Sequence, residues 1–118
     1  MRKLEHKEQT KFFKLVRTLE EINEDVRFVF AVPNGGPRHP FVAKRLKEEG
    51  VKRGVPDIFV PIPKNGYHGL FIEMKVEKRK LSREQAIFKV FLEKKNYLYY
   101  VCYSAEEAFN LLKKYLNI

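Results

Sequence analysis

Asp57, Glu73 and Lys75 are the residues whose types and spacing could do chemistry. Glu73 and Lys75 stand two apart in Leu70-Phe-Ile-Glu-Met-Lys-Val76, an otherwise apolar run that reads as a strand. Strand side chains alternate between faces, so these two point the same way. A carboxylate and an amine on a buried strand are costly unless their surroundings supply partners. Asp57 opens the preceding run, Pro56-Asp-Ile-Phe-Val-Pro-Ile62, and Asn65-Gly66 between the two runs is a tight-turn dipeptide. An antiparallel hairpin centred on residue 65 sets Asp57 opposite Glu73, because 65 is the midpoint of 57 and 73. Two carboxylates brought together repel unless a proton or a cation sits between them. A hard divalent ion that keeps several waters, Mg²⁺ or Mn²⁺, suits such donors, and the Met74 carbonyl is placed to add a third oxygen. Lys75 is then positioned to hold a water for attack on a phosphodiester and to offset the negative charge of the transition state. The alternative is a cross-strand Asp57–Lys75 ion pair on a wet sheet face, which leaves Glu73 unexplained.

The elements that must position these residues follow from periodicity and turn chemistry. Residues 5–24 carry Phe12, Phe13, Val16, Leu19 and Ile22 at helical spacing. Val26-Arg-Phe-Val-Phe-Ala-Val32 is β-rich and ends at Pro33, and 33–40 is dense in turn formers. Residues 40–49 read as a short helix stopped by Gly50. Residues 56–62 are a strand that Pro61 places at an edge or ends. Ser82 opens a helix whose apolar face is Ala86, Ile87, Val90, Phe91 and Leu92. Residues 97–103 form a strand, and Ser104 with Glu107 makes a capping box for a last helix. The predicted order αβαββαβα is that of an α/β domain with a mixed sheet. Tyr97, Tyr99, Val101 and Tyr103 share one strand face, where core packing or a subunit interface outweighs base stacking.

The 118 residues form one domain, 1–118, large enough to bury a core without a metal or disulfide staple. With 44% hydrophobic and 14% aromatic residues the chain is not disordered. No apolar run is long enough to span a membrane, and the charged N-terminus is not a signal peptide. Cys102 is the sole cysteine, which fits a reducing, cytoplasmic compartment. The net charge of +9 points to a polyanion: nucleic acid first, an anionic membrane surface far behind, against the plain alternative of a basic solvated surface. Arg38, Lys44, Arg45, Lys47, Lys52 and Arg53 lead towards Asp57 and read as a duplex-backbone contact. Lys78, Arg79, Lys80 and Arg83 extend the positive surface beyond Lys75. Asn34-Gly-Gly36 is either a phosphate cradle or only a turn. His6, His39 and His68 have no zinc-ligand spacing.

Asp57 followed by Glu73-x-Lys75 resembles the PD-(D/E)XK nuclease signature, with a literal Pro56-Asp57. More narrowly, the chain resembles a standalone VRR-NUC domain of the phage and bacterial type. The matching pieces are Glu5-x-x-x-Gln9, Pro33-Asn-Gly-Gly36, Leu46-Lys-Glu-Glu-Gly-Val51, Gly54-Val-Pro-Asp57, Gly69-Leu-Phe-Ile-Glu-Met-Lys75 and Leu81-Ser-x-x-Gln85. The resemblance implies a restriction-endonuclease-like fold and Mg²⁺- or Mn²⁺-dependent cleavage of DNA in a bacterial or phage-infected cell. It also implies a homodimer acting on branched DNA, as Holliday-junction resolvases do. It makes Asp57 and Glu73 metal ligands, Lys75 the catalytic lysine and Gln85 an active-site glutamine, with a further Glu from the N-terminal helix. Glu5 fits that spacing better than Glu8, which lies on the same helix side and is either a second acid or the solvated end of the helix. Gln85 is also three residues after Ser82, so a capping box competes with its site role. The rival functions are a nickase or flap cutter, and a non-catalytic DNA-binding module. The last has no use for acids that repel phosphate.

Overall fold

The computed structural model describes residues 2–33 and 39–118. The elements are α1 (Arg2–Arg17), a 3₁₀ helix (Glu24–Phe28), β1 (Phe30–Ala31), α2 (Pro40–Glu48), β2 (Ile58–Val60), β3 (Leu70–Met74), α3 (Arg83–Lys94), β4 (Leu98–Cys102) and α4 (Ala105–Leu116). The order is the expected αβαββαβα. One four-stranded sheet runs β1-β2-β3-β4, the first two pairings antiparallel and β3–β4 parallel. The sheet is therefore mixed, with helices on its two faces.

The hairpin forms as its turn requires. Asn65 and Gly66 both have positive φ, 54° and 84°, the backbone of a type I′ turn. Ile58 pairs with Ile72 and Val60 with Leu70, so the pairing is centred on residue 65. Pro61 follows the last residue of β2, where its missing N–H ends the ladder.

One face carries the core. Ile58, Val60, Leu70, Ile72, Met74 and Cys102 meet Phe12 and Val16 of α1 and Ala108, Leu112 and Tyr115 of α4. Glu8 of α1 ties these helices together: the Ala105 N–H donates to its Oε1 at 2.8 Å, closing the open end of α4. Ser104 caps the same helix by accepting from the Glu107 N–H. The Glu107 carboxylate reaches past Ser104 to accept from the Tyr103 N–H, so the expected capping box is shifted by one residue.

Three elements differ from the sequence expectation. The first helix stops at Arg17, and turns continue from there to Asn23. The strand expected over 26–32 shrinks to Phe30–Ala31. Asn23 accepts from the Asp25 N–H and starts a 3₁₀ turn, so Val26 and Val29, three apart, are both buried. The third difference is the face of α3. Ile87, Val90 and Phe91 are 58%, 67% and 54% exposed, while Gln85, Phe88, Lys89 and Leu92 turn towards the sheet. α3 lies over β4, and the polar residues at its start are directed at the acids described below. Among the described residues no helix is long and apolar enough to cross a membrane.

Candidate active site

Side chains alternate along β3, so Leu70, Ile72 and Met74 enter the core while Phe71, Glu73 and Lys75 face α3. Glu73 is 2% exposed. Asp57 lies just before β2, with its carbonyl accepting from the Val32 N–H and its Oδ2 from the Met74 N–H at 2.8 Å. The first bond ties it to the β1 side and the second to β3, which fixes the carboxyl beside Glu73. The sequence-predicted juxtaposition of Asp57 and Glu73 is present, and at Met74 it is the N–H, rather than the carbonyl expected from the sequence, that the structure shows bonded to Asp57.

Gly54 explains the approach to this loop. Its φ is +89°, and a Cβ there would come 2.6 Å from the Glu84 backbone carbonyl. The loop carrying Asp57 is thereby pressed against the first turn of α3, which bears Gln85.

Gln85 does both things that the sequence set in competition. Its Oε1 accepts from the Ser82 N–H at 2.8 Å and its N–H donates to Ser82 Oγ, completing the capping box. Its Nε2 donates to Glu73 Oε2 at 3.0 Å. The amide has a donor and an acceptor end, so folding back on the helix leaves the other end free to hold Glu73.

The electrostatics follow from this packing. Burial pushes the Glu73 carboxyl up to about 9, helped by the charge of Asp57 and a hydrogen-bonding contact with its carboxyl. Lys75 pulls in the opposite direction, and Glu5 adds to the rise. Lys75 and Glu5 therefore both act on the acid pair. Glu5 is nevertheless not part of a cluster: among the described residues no three His, Cys, Asp or Glu side chains are grouped to hold a metal ion. Glu8 is spent on the α4 N-terminus and on Lys11, which accounts for it as a helix cap rather than a second acid.

The donors present fit a divalent cation. Glu73 Oε1 is buried and meets no hydrogen-bond donor among the described residues. The carboxyl of Asp57 lies beside it, and a proton on Glu73 or a cation between the two relieves their repulsion. Two carboxylates are oxygen ligands of the kind that Mg²⁺ and Mn²⁺ take while retaining waters.

Lys44, Arg45, Lys52, Arg53 and Lys78 are all exposed. Arg45 is loosely paired with Glu49 at 4.0 Å. α2, which carries Lys44 and Arg45, has no buried residue. Asn34 and Arg38 lie outside the described residues. Sequence inspection missed one neighbour of the acids: Tyr99, given to core packing or a subunit interface ahead of base stacking, is buried on their side of the sheet. The signal available was its odd-numbered position on a strand parallel to β3.

A family model described as the VRR-NUC domain matches residues 5–106. Among solved structures, a "VRR_NUC domain protein" is similar in fold, with a TM-score of 0.74 and 21% sequence identity. That match covers 93% of this chain and 88% of the other. No curated protein matches the chain.

Proposed function

The chain belongs to the VRR-NUC family of nuclease-type DNA-processing domains, and we propose that it is an endonuclease hydrolysing DNA phosphodiesters with Mg²⁺ or Mn²⁺. The observation that carries this is the buried Glu73 carboxylate set against Asp57 with no donor for its Oε1 among the described residues. A carboxyl this deeply buried beside a second acid is costly to keep for architecture alone.

Asp57 and Glu73 would hold the ion, with the Met74 carbonyl as a third oxygen. When bound there, such an ion would lower the pKa of a coordinated water and place positive charge at the phosphate. The Met74 N–H orients Asp57, and Gln85 fixes Glu73 from the opposite side. Lys75, on the face of Glu73, offsets the negative charge that grows on the phosphate during attack. Glu5 adds a remote acid to the site. The exposed Lys44, Arg45, Lys52, Arg53 and Lys78 supply backbone contacts to DNA, joined by Asn34 and Arg38.

The substrate we assign is branched DNA, cut by a homodimer. Ile87, Val90 and Phe91 form an outward apolar stripe on α3 that a second copy would cover. A two-fold dimer carries two sites with the symmetry of a four-way junction. The test is cleavage of matched linear, nicked, flapped and four-way DNA with Mg²⁺ and Mn²⁺, alongside light scattering. Metal-dependent cutting that is lost in Asp57→Ala and favours the four-way substrate is expected. Binding without cleavage would leave only a DNA-binding module. Equal cutting of all substrates by a monomer would remove the junction assignment and keep the nuclease.

A further inference from the structure

We propose that Phe41, at the start of α2, is a wedge that enters DNA at an open base step and so selects branched DNA over continuous duplex. This rests on the reading of the chain as a nuclease for branched DNA and adds the residue that recognises the branch. Phe41 is 71% exposed, the most exposed Phe or Tyr side chain among the described residues. No residue of α2 is buried, and Leu46 alone is half-buried. At 3.6 residues per turn, Phe41, Lys44 and Glu48 lie on the side of the helix opposite Leu46. Lys44 and Arg45 are three and four residues on from Phe41, so the ring projects outward between two exposed cations. Its backbone is held in place: the Phe41 N–H donates to His39 Nδ1 at 3.1 Å, and Pro40 starts the helix.

The chemistry of this face defines its occupant. A nine-residue helix that buries nothing is marginal in water, and a ligand on its outer side steadies it. That ligand must be apolar where Phe41 enters and anionic on either side. A second copy of this chain brings the same net charge of +9 and is repelled there. DNA offers both features together, a base step flanked by phosphates. The loop over 49–57 joins α2 to Asp57, so the DNA that meets the acids is the DNA that meets α2. In continuous duplex the ring must first separate two stacked bases. At a branch point or beside an unpaired base that separation already exists, and the difference in cost is the selectivity.

The chain contains no tryptophan, so Phe41→Trp places a single fluorophore at the wedge. In chelator, its emission should be quenched by a four-way junction and much less by linear duplex of the same length. Phe41→Ala should weaken junction binding about tenfold, the usual size of a base–aromatic stack, with linear-duplex affinity and melting temperature close to those of the parent. Lys44→Ala is the contrast: it should weaken both DNAs alike and lower the slope of affinity against salt by about one. Equal loss on both DNAs in Phe41→Ala, or tryptophan emission that the junction leaves unmoved, overturns the wedge while the nuclease assignment stands. Emission that shifts with phosphatidylglycerol vesicles and not with DNA makes α2 a membrane contact and also overturns it. Junction-specific quenching in a chain that cuts no DNA with Mn²⁺ supports the wedge and removes the nuclease. A parent chain that binds no DNA overturns both.

Discussion

Replacing Glu73 with Gln should stabilise the metal-free protein while abolishing its activity. Glu73 ionises near 4.5 in an unfolded chain and near 9 in the fold, chiefly because burial penalises the charge. A group whose folded value is raised supports the fold fully below its unfolded value, and that support drains away as pH climbs towards the folded one. The loss is about 1.4 kcal/mol per pH unit across that window, so by pH 7 the metal-free chain is weaker by roughly 3 kcal/mol than at pH 4.5. Glutamine does not titrate. Its oxygen still accepts from Gln85, and its amide nitrogen takes the place of the proton that Glu73 shares with Asp57. The variant should match the parent near pH 5 and exceed it by pH 7, by roughly 10 °C in melting temperature for a domain of this size. Thermal melts of both proteins in chelator from pH 5 to 8.5 measure the difference, in which titrations common to both cancel. Millimolar Mn²⁺ should restore the parent at high pH and leave the variant unmoved, because only the parent gains a bound ion. A parent curve that runs parallel to that of Glu73→Gln over the whole pH range would refute the coupled acid pair.

Other substitutions divide chemistry from architecture. Lys75→Met should slow cleavage by about 10²-fold or more while Mn²⁺ affinity by calorimetry holds or improves, since a positive charge leaves the site. Glu8→Ala should lower stability by about 1 kcal/mol through the lost α4 cap, with cleavage below the melting point unchanged. Glu5→Ala should do the reverse, reducing cleavage with a melting temperature close to that of the parent, and a side-by-side melt and nicking assay reads both. Gly54→Ala forces a Cβ into the Glu84 backbone at a positive φ, so both stability and cleavage should fall, the cleavage through a displaced Asp57 loop.

Much of the site was legible in the sequence because its determinants are local. Alternation along Leu70–Val76 places Glu73 and Lys75 on one side, and the Asn65-Gly66 turn sets the register that brings Asp57 to them. Both follow from covalent periodicity and from the few residues that tolerate positive φ. The order of elements, the mixed sheet and the Ser82 cap follow from the same local rules. What a helix or strand faces is decided by its neighbours, and there only the tertiary structure could speak. Five apolar residues on α3 suggested a buried face, yet the helix turns Gln85 and Lys89 inward because the sheet beneath presents Glu73 and Tyr99. Gln85 caps α3 and holds Glu73 at once because α3 begins directly over the acid pair, a distance that Gly54 sets by contact. Glu8 and Glu5 share a helix side in sequence, and the position of α4 makes one a cap and leaves the other acting on the acids. The strand expected at 26–32 gave way to a 3₁₀ turn because burying Val26 and Val29 together requires a three-residue period, which no alternating strand provides.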